Sequence, residues 1–250
     1  MSRLRDRIRT LGRKQRGALG FAPPRDADAG GQLLILAEVT DAASVRASAE
    51  AGAGAILYAG DPATISPIID AAGDIPVGSL LESATSDQVT VLADAGADFF
   101  ILDDDRAAAD ALLERRLGHV LLLGTDADGP NEERLRMLAA LDLDALLLTE
   151  PLNALTVLDH LRLRRIVSLA RAPLIVTATT ATGVPAPSTL EVWRDAGAPV
   201  VLLRSQDHDA TAALVRATNE VRPPRERRED RPDALLPAAS PTLAEDEDLD

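Results

Sequence analysis

The sequence predicts an α/β protein whose core is a closed barrel of eight parallel strands, and three repeated junctions support this prediction. At Gly52, Gly96 and Gly197 a helical stretch ends in Ala-Gly-Ala, and an apolar run of strand length follows. Glycine just after the last helical residue is a common helix stop. Short strands that are apolar on both faces are typical of parallel sheets covered by helices. We therefore expect helices and strands to alternate regularly.

Eight apolar runs of strand length lie between residues 32 and 221. The expected strands cover residues 33–39, 53–59, 75–80, 99–102, 120–123, 145–148, 174–176 and 200–203. The expected helices begin near Asp41, Asp61, Ser83 or Ser86, Arg106, Asn131, Leu152, Pro187 and Asp209, and the fourth of them runs to Leu117 with Gly118 as its stop. Right-handed crossovers of eight such units close a (β/α)8 TIM barrel.

An open, doubly wound sheet is the alternative arrangement for alternating strands and helices. Sheets of that kind usually have fewer units and a glycine-rich first turn that holds phosphate. The first turn here is Glu38-Val39-Thr40-Asp41, which contains no glycine. The sequence therefore favours the barrel, with Asp41 and Asp61 placed to cap the helices after the first two strands.

The segments that flank the barrel, residues 1–31 and 222–250, differ from it in composition. Residues 1–25 are basic with one acid, Asp6, and Leu4, Ile8 and Leu11 would give a helix there one narrow apolar stripe. This arm either contacts a membrane, a nucleic acid or an acidic partner, or it packs on the end of the barrel or on the protein's own acidic surface. Residues 222–250 are proline-broken and end in an acidic run, which is typical of a disordered tail.

Composition excludes several classes of function. The formal net charge of −14 and the aromatic content of 2% argue against nucleic-acid binding. The absence of cysteine excludes disulfides, thiolate metal sites and a cysteine nucleophile. No apolar run approaches the roughly 20 residues of a membrane span, and the N-terminus lacks the apolar core of a signal peptide. The expectation is a soluble cytoplasmic protein with no nucleic-acid partner.

Polar residues that follow the strands identify the candidate site, because a TIM barrel carries its active site at the carboxyl ends of the strands. Glu38, Asp103 and Glu150 follow strands one, four and six, and such carboxylates suit either acid/base chemistry or a hard cation such as Mg²⁺. The alternative is that acids at these positions cap the following helices. Arg204 is the one cation at a strand end, and it either binds a carboxylate or phosphate or pairs with Glu38.

The residue types that are absent from the barrel exclude further catalytic mechanisms. The only lysine is Lys14, outside the barrel, which excludes a Schiff-base mechanism inside it. Of the three histidines only His208 is expected near the mouth, so a multi-histidine metal site is not expected. No nucleophile-elbow or Walker-type motif is present.

The Ala-Gly-Ala junctions, with the apolar strands 174–176 and 200–203 that close the chain, resemble those of the phosphate-binding TIM-barrel group. That group includes ribulose-phosphate-binding, IMP dehydrogenase-like and nitronate-monooxygenase-like flavin barrels. The resemblance implies an anion held after strands seven and eight by backbone groups and a helix N-terminus. At these positions the chain has Thr179, Thr180, Arg204 and Ser205 instead of the usual glycines. Their side chains are the candidate anion ligands, and a phosphate or flavin ligand stays an open question.

Two functional hypotheses follow from the sequence. In the first, the barrel binds or converts a small anionic metabolite at its mouth, with Arg204 on the anion and Glu38, Asp103 or Glu150 supplying acid/base or Mg²⁺ chemistry. In the second, the barrel is catalytically inactive and serves as a scaffold that binds a protein partner through residues 1–25 or 222–250. The polar mouth favours the first hypothesis, and the missing lysine, the missing glycines and the oppositely charged ends favour the second.

Overall fold

The computed structural model describes residues 2–15, 32–81, 83–103, 105–124, 131–152, 155–205 and 207–223. Eight parallel strands form a closed barrel in sequence order, and β8 pairs with β1. The strands are β1 Leu34–Val39, β2 Ala55–Tyr58, β3 Val77–Leu81, β4 Phe99–Asp103, β5 Gly118–Leu123, β6 Ala145–Pro151, β7 Leu174–Thr179 and β8 Val200–Arg204. The predicted (β/α)8 barrel is confirmed.

The α-helices lie outside the strands, apart from an additional first helix that precedes the barrel. They are α1 Arg3–Gln15, α2 Ala42–Glu50, α3 Ser66–Ala72, α4 Ser86–Ala95, α5 Glu132–Leu138, α6 Val157–Ala170, α7 Pro187–Ala196 and α8 His208–Asn219. Short 3₁₀ turns cover Pro62–Thr64, Ala109–Leu113 and Thr180–Thr182. In the part of the chain that is described, we find no helix with the length and apolar character that a bilayer crossing needs.

The glycine junctions behave as the sequence predicts. Gly52, Gly96 and Gly197 have φ of 98°, 88° and 98°, a left-handed conformation that side chains disfavour. Each glycine ends a helix, and the chain turns into the next strand. The predicted cap of α2 is also confirmed, since the Asp41 carboxylate accepts from the backbone N–H groups of Ala43 and Ser44. The cap of α4 is Thr85, with Gln88 completing a capping box, and not Ser83 or Ser86.

The segment between β4 and β5 corrects the sequence prediction. No α-helix runs from Arg106 to Leu117; a 3₁₀ turn over Ala109–Leu113 replaces it, and Gly118 begins β5 instead of ending a helix. A Cβ atom at Gly118 would lie within 3.0 Å of Asp144 and Ser2. Gly118 is therefore needed for close packing, and a local pattern cannot distinguish that role from a helix stop.

The barrel has two apolar cores, one on each face of the strands. The inner core fills the lumen with residues such as Leu36, Leu57, Phe99 and Ile101. The outer core lies between strands and helices and contains fully buried Trp193. Because successive side chains of a strand point to opposite faces, each strand supplies both cores and needs apolar residues at every position. This explains the continuous apolar runs in the sequence.

Helix α1 packs on the N-terminal end of the barrel, where Leu4 and Ile8 join the inner core and are 0% and 7% exposed. The Asp98 carboxylate, just before β4, accepts from the backbone N–H groups of Arg3 and Leu4 at 2.8 and 2.9 Å. Asp98 thus caps the first turn of α1, although it is distant from this helix in the sequence. Of the two roles open for the basic arm, packing on the barrel is the one observed for residues 2–15.

Basic side chains of α1 are also used within the chain. Arg5 bonds to Asp142 at 2.8 Å and pairs with buried Asp144, while Arg7 donates to the backbone oxygens of Gly54 and Asp74. The linker residues 16–31 and the tail from residue 224 onward lie outside the described residues. The prediction of a disordered acidic tail therefore stays a prediction.

Candidate functional site

Strand alternation decides which predicted residues belong to the mouth of the barrel. In β1, Leu34 and Leu36 belong to the inner core, so Glu38 comes next on the inner face at the carboxyl end of the strand. The same count along β8 places Arg204 on that face, beyond Val200 and Leu202. The sequence patterns of β4 and β7 place Asp103 and Thr179 on it as well. Four of the predicted residues thus share the inner surface of the mouth.

Arg204 and Glu38 are in direct contact. Arg204 Nε lies 3.4 Å from Glu38 Oε2, and the side chains are 36% and 25% exposed. The strand register explains this contact, because Ala37 pairs with Leu203 and the two charged residues follow in adjacent strands. The geometry is that of an ion pair without an aligned hydrogen bond: Nε is buried and has no hydrogen-bond partner among the described residues. Of the eight strands, only β8 carries an arginine or lysine.

The three hydroxyl residues predicted to bind an anion fall at different places. Thr179 is the register partner of Arg204 on the neighbouring strand and is half-buried. Ser205 follows Arg204, and its Oγ accepts from the backbone N–H of Asp207 at 3.0 Å. Thr180 is exposed in the 3₁₀ turn after β7. The structure therefore places Thr179 beside the arginine, while the Ser205 oxygen already has a structural bond.

Asp103 belongs to a local turn. Its Oδ1 accepts from the backbone N–H of Asp105 at 3.1 Å, and its Oδ2 lies 3.7 Å from Arg106 Nε. Its backbone oxygen accepts from the N–H groups of Arg106 and Ala107. Asp103 therefore shapes the turn after β4, but it does not cap a helix as the sequence alternative proposed: the 3₁₀ turn over Ala109–Leu113 begins after Ala108 without a side-chain cap. Asp103 still lies at the mouth, with a side chain that is 24% exposed.

Glu150 is not brought to the inner face by the regular strand pattern. The register with β7 jumps from Leu148 opposite Val176 to Pro151 opposite Thr177, so that Thr149 and Glu150 lie in a bulge. Glu150 is exposed, and the buried Thr177 hydroxyl bonds to the Leu148 oxygen at 2.7 Å. Within the described ranges, we find no group of three or more acidic or histidine side chains that could hold a metal ion. The expected Mg²⁺ set of Glu38, Asp103 and Glu150 therefore does not assemble.

The N-terminus of α8, where the resemblance to phosphate-binding barrels predicts an anion, carries its own carboxylates. Asp207 caps this helix by accepting from the backbone N–H of Asp209 at 2.9 Å, and Asp209 itself lies in the first turn. A carboxylate at this position satisfies the helix dipole and competes with an external anion. Arg204 is therefore the predicted anion ligand that this capping leaves in place.

A second polar region, which sequence reasoning missed, lies at the opposite end of the barrel. A cleft of about 460 Å³ is lined by side chains from α1, from β5 and from the turns before β5 and β6, including Arg5, Arg115, His119, Asp142 and Asp144. Burial raises the pKa of Asp144, and the Ser2 hydroxyl and Arg5 act against this rise. The hydrogen bond from Arg5 lowers the pKa of Asp142. An aspartate directly before an apolar strand, as at Asp98 and Asp144, was the available signal in the sequence.

Comparison with known proteins supports the fold and does not assign a family. No family model and no curated protein matches the chain. A solved structure described as a putative phosphonomutase from Burkholderia cenocepacia J2315 matches with 22% identity and a TM-score of 0.53, over 74% of this chain and 94% of that one. The apo homocysteine methyltransferase MmuM from Escherichia coli matches with 17% identity and a TM-score of 0.52, over 76% and 97%. At these identities the likeness shows the TIM-barrel fold alone.

Proposed function

We propose that this protein binds a small metabolite with an anionic group at the carboxyl-end mouth of the barrel, with Arg204 as the anion-binding residue. The observation that carries this proposal is the Arg204–Glu38 pair on the inner face of the mouth. The Arg204 side chain is 36% exposed at the end of an apolar lumen, so its guanidinium can form a charge-assisted bond to a ligand oxygen. Thr179 lies on the neighbouring strand and contributes a hydroxyl next to it.

Glu38 is the residue that we expect to handle a proton in any reaction at this site. Glu38 lies 3.4 Å from the Arg204 guanidinium, so a ligand that the arginine holds is within reach of the Glu38 carboxylate. Asp103, fixed by its turn after β4, is the second carboxylate of the mouth. The phosphate-binding subgroup remains a hypothesis about the ligand, and the self-capped α8 weighs against it.

A thermal-shift screen of the full chain against sugar phosphates, nucleotides, flavins and small carboxylates tests the proposal. A ligand at about 100 times its dissociation constant should add roughly 2.7 kcal/mol to the free energy of unfolding. The shift should disappear in Arg204→Ala and persist in Arg115→Ala, which removes an arginine at the opposite end of the barrel. A shift that survives Arg204→Ala, or no shift with any compound, would contradict the proposal.

A second candidate function, a non-catalytic scaffold for a protein partner, is favoured by the surface of α6. Val157, Leu158 and Leu161 are large apolar side chains exposed at the start of this helix. If the protein is a scaffold, Leu158→Ser with Leu161→Ser should change its association in sedimentation velocity, whereas Arg204→Ala should not. Deletion of residues 1–25 is a poor test, because α1 supplies Leu4 and Ile8 to the inner core. Truncation after Pro223 leaves the described barrel intact and is the better one.

A further inference from the structure

The charges around the mouth restrict the class of ligand. We define the rim as the zone from each strand end through the first turn of the following helix. Its carboxylates in the described chain are Glu38, Asp41, Asp61, Asp87, Asp103, Asp105, Asp110, Glu132, Glu133, Glu150, Asp159, Asp207 and Asp209. Its arginines are Arg106, Arg134 and Arg204. The negative potential of this rim would repel a multiply charged anion, whereas it would attract a ligand that carries a positive group.

The anion position beside Arg204 suits a carboxylate better than a phosphate. One guanidinium can engage the two oxygens of a carboxylate bidentately. A phosphate has more acceptor oxygens, which in barrels are usually satisfied by several backbone N–H groups at a helix N-terminus. In this chain the N-terminus of α8 is capped by Asp207, and Ser205 Oγ is bonded to the backbone of Asp207.

The neighbour of Arg204 supplies the complementary charge. Glu38 Oε2 lies 3.4 Å from Arg204 Nε, so a negative and a positive group stand side by side on adjacent strands, which are about 4.8 Å apart. An α-amino acid carries its ammonium and carboxylate groups on one carbon, and it can therefore replace this single ion pair by two. Its ammonium group would also gain from the acidic rim.

Resting on the proposed function, we infer that the ligand is zwitterionic, an α-amino acid or a close derivative. Its carboxylate binds the Arg204 guanidinium and its ammonium group binds the Glu38 carboxylate. The ligand side chain then faces the apolar floor of the mouth, where Leu80 and Leu122, near the carboxyl ends of β3 and β5, are partly buried members of the inner core.

Isothermal titration calorimetry of the full chain with four matched probe panels tests this inference. The panels are the common L-amino acids, their deaminated carboxylic acids, their decarboxylated amines and the phosphate monoesters of the corresponding alcohols. An amino acid should bind best, and loss of either charged group should weaken binding by about tenfold or more, the effect of one interaction of about 1.4 kcal/mol. Glu38→Gln should weaken amino-acid binding by a similar factor and should not weaken binding of the deaminated acid, because it removes a carboxylate that competes for Arg204. Arg204→Ala should weaken both.

The outcomes separate this inference from the proposed function. If a phosphate monoester or an amine-free carboxylate binds best, and its binding depends on Arg204, the inference of a zwitterionic ligand is wrong. The proposal that the mouth binds an anion would still hold. Equal weakening of amino acid and deaminated acid in Glu38→Gln would also overturn the inference of a zwitterionic ligand. No binding in any panel would overturn both. Arg115→Ala is the control that should change nothing. Glu38→Ala, which also removes the carboxylate, replaces Glu38→Gln if circular dichroism shows that the latter is unfolded.

Discussion

Arg204 at the end of β8 lies beside Glu38 at the end of β1, so that their ion pair joins the last strand of the barrel to the first. Both side chains keep contact with solvent, and the contact is not an aligned hydrogen bond. Exposed pairs of this kind contribute little to stability. We therefore expect the loss of this pair to change the free energy of unfolding little.

A double-mutant cycle of Glu38→Gln and Arg204→Met should give a coupling energy of less than about 1 kcal/mol in urea unfolding. Solvent screens the charges, and each side chain loses rotamer freedom when the pair forms. A coupling energy of about 3 kcal/mol or more would instead identify the pair as a structural clamp between the two strands.

Leu4→Ala should destabilise the barrel by about 2–5 kcal/mol, because it leaves a cavity where a fully buried side chain of α1 enters the lumen. Chemical denaturation of the full chain measures this loss. Leu161→Ala is the matched control: its side chain is 55% exposed on α6, and its removal should change the free energy of unfolding very little. Equal effects of the two substitutions would mean that α1 does not pack on the barrel in solution.

Gly78→Ala should destabilise the protein by about 1–3 kcal/mol through overpacking. A Cβ atom at residue 78 would lie within 3.0 Å of the ring of Phe99, which is fully buried in the lumen. Gly12→Ala introduces the same methyl group on α1 with no atom within 4 Å, and it should stabilise the helix by up to about 1 kcal/mol. Phe99→Leu should recover part of the Gly78→Ala loss, and a failure to do so would place the strain elsewhere.

The pH dependence of stability should reveal the buried carboxyl of Asp144. Burial raises its pKa in the folded chain, so the folded state takes up a proton at a higher pH than the unfolded chain does. The contribution of Asp144 to the free energy of unfolding therefore rises as the pH falls through the folded pKa. Urea unfolding of the wild type and of Asp144→Asn should be measured from about pH 7 down to about pH 4. Over this range the free energy of unfolding of the wild type should increase relative to that of Asp144→Asn. A loss in this window would mean that Arg5 and Ser2 outweigh burial.

Local sequence signals predicted most of the barrel, and they failed where a residue's role depends on a distant partner. The Ala-Gly-Ala junctions and the apolar runs are local, because a positive φ and a two-sided core leave their mark on neighbouring residues. Gly118 carries the same local signal as a helix stop, but it is small because Ser2 and Asp144 pack against it. The 3₁₀ turn at Ala109–Leu113 was also missed; it begins after Ala108, whose backbone N–H donates to the Ala84 oxygen in the segment before α4.

The candidate site shows the same division. Sequence position alone placed Glu38 and Arg204 at strand ends and raised the option that they pair, which is the arrangement observed. Ala145 and Leu147 belong to the inner core, so alternation along β6 already puts Glu150 off the inner face. The bulge after Leu148 depends on the register with β7, and the sequence of β6 does not reveal it. The sites that hold α1, Asp98 and Asp144, depend on contacts about a hundred or more residues apart.

The sequence by itself determined that this chain is an alternating α/β barrel with an acidic, lysine-free mouth, because periodicity, glycine stops and residue types are properties of short stretches. Only the tertiary structure decided which carboxylates share the inner face and that α1 closes the far end of the lumen. Closure of the barrel fixes the register of every strand against its neighbours. That register brings Arg204 to Glu38 and sends Glu150 into a bulge.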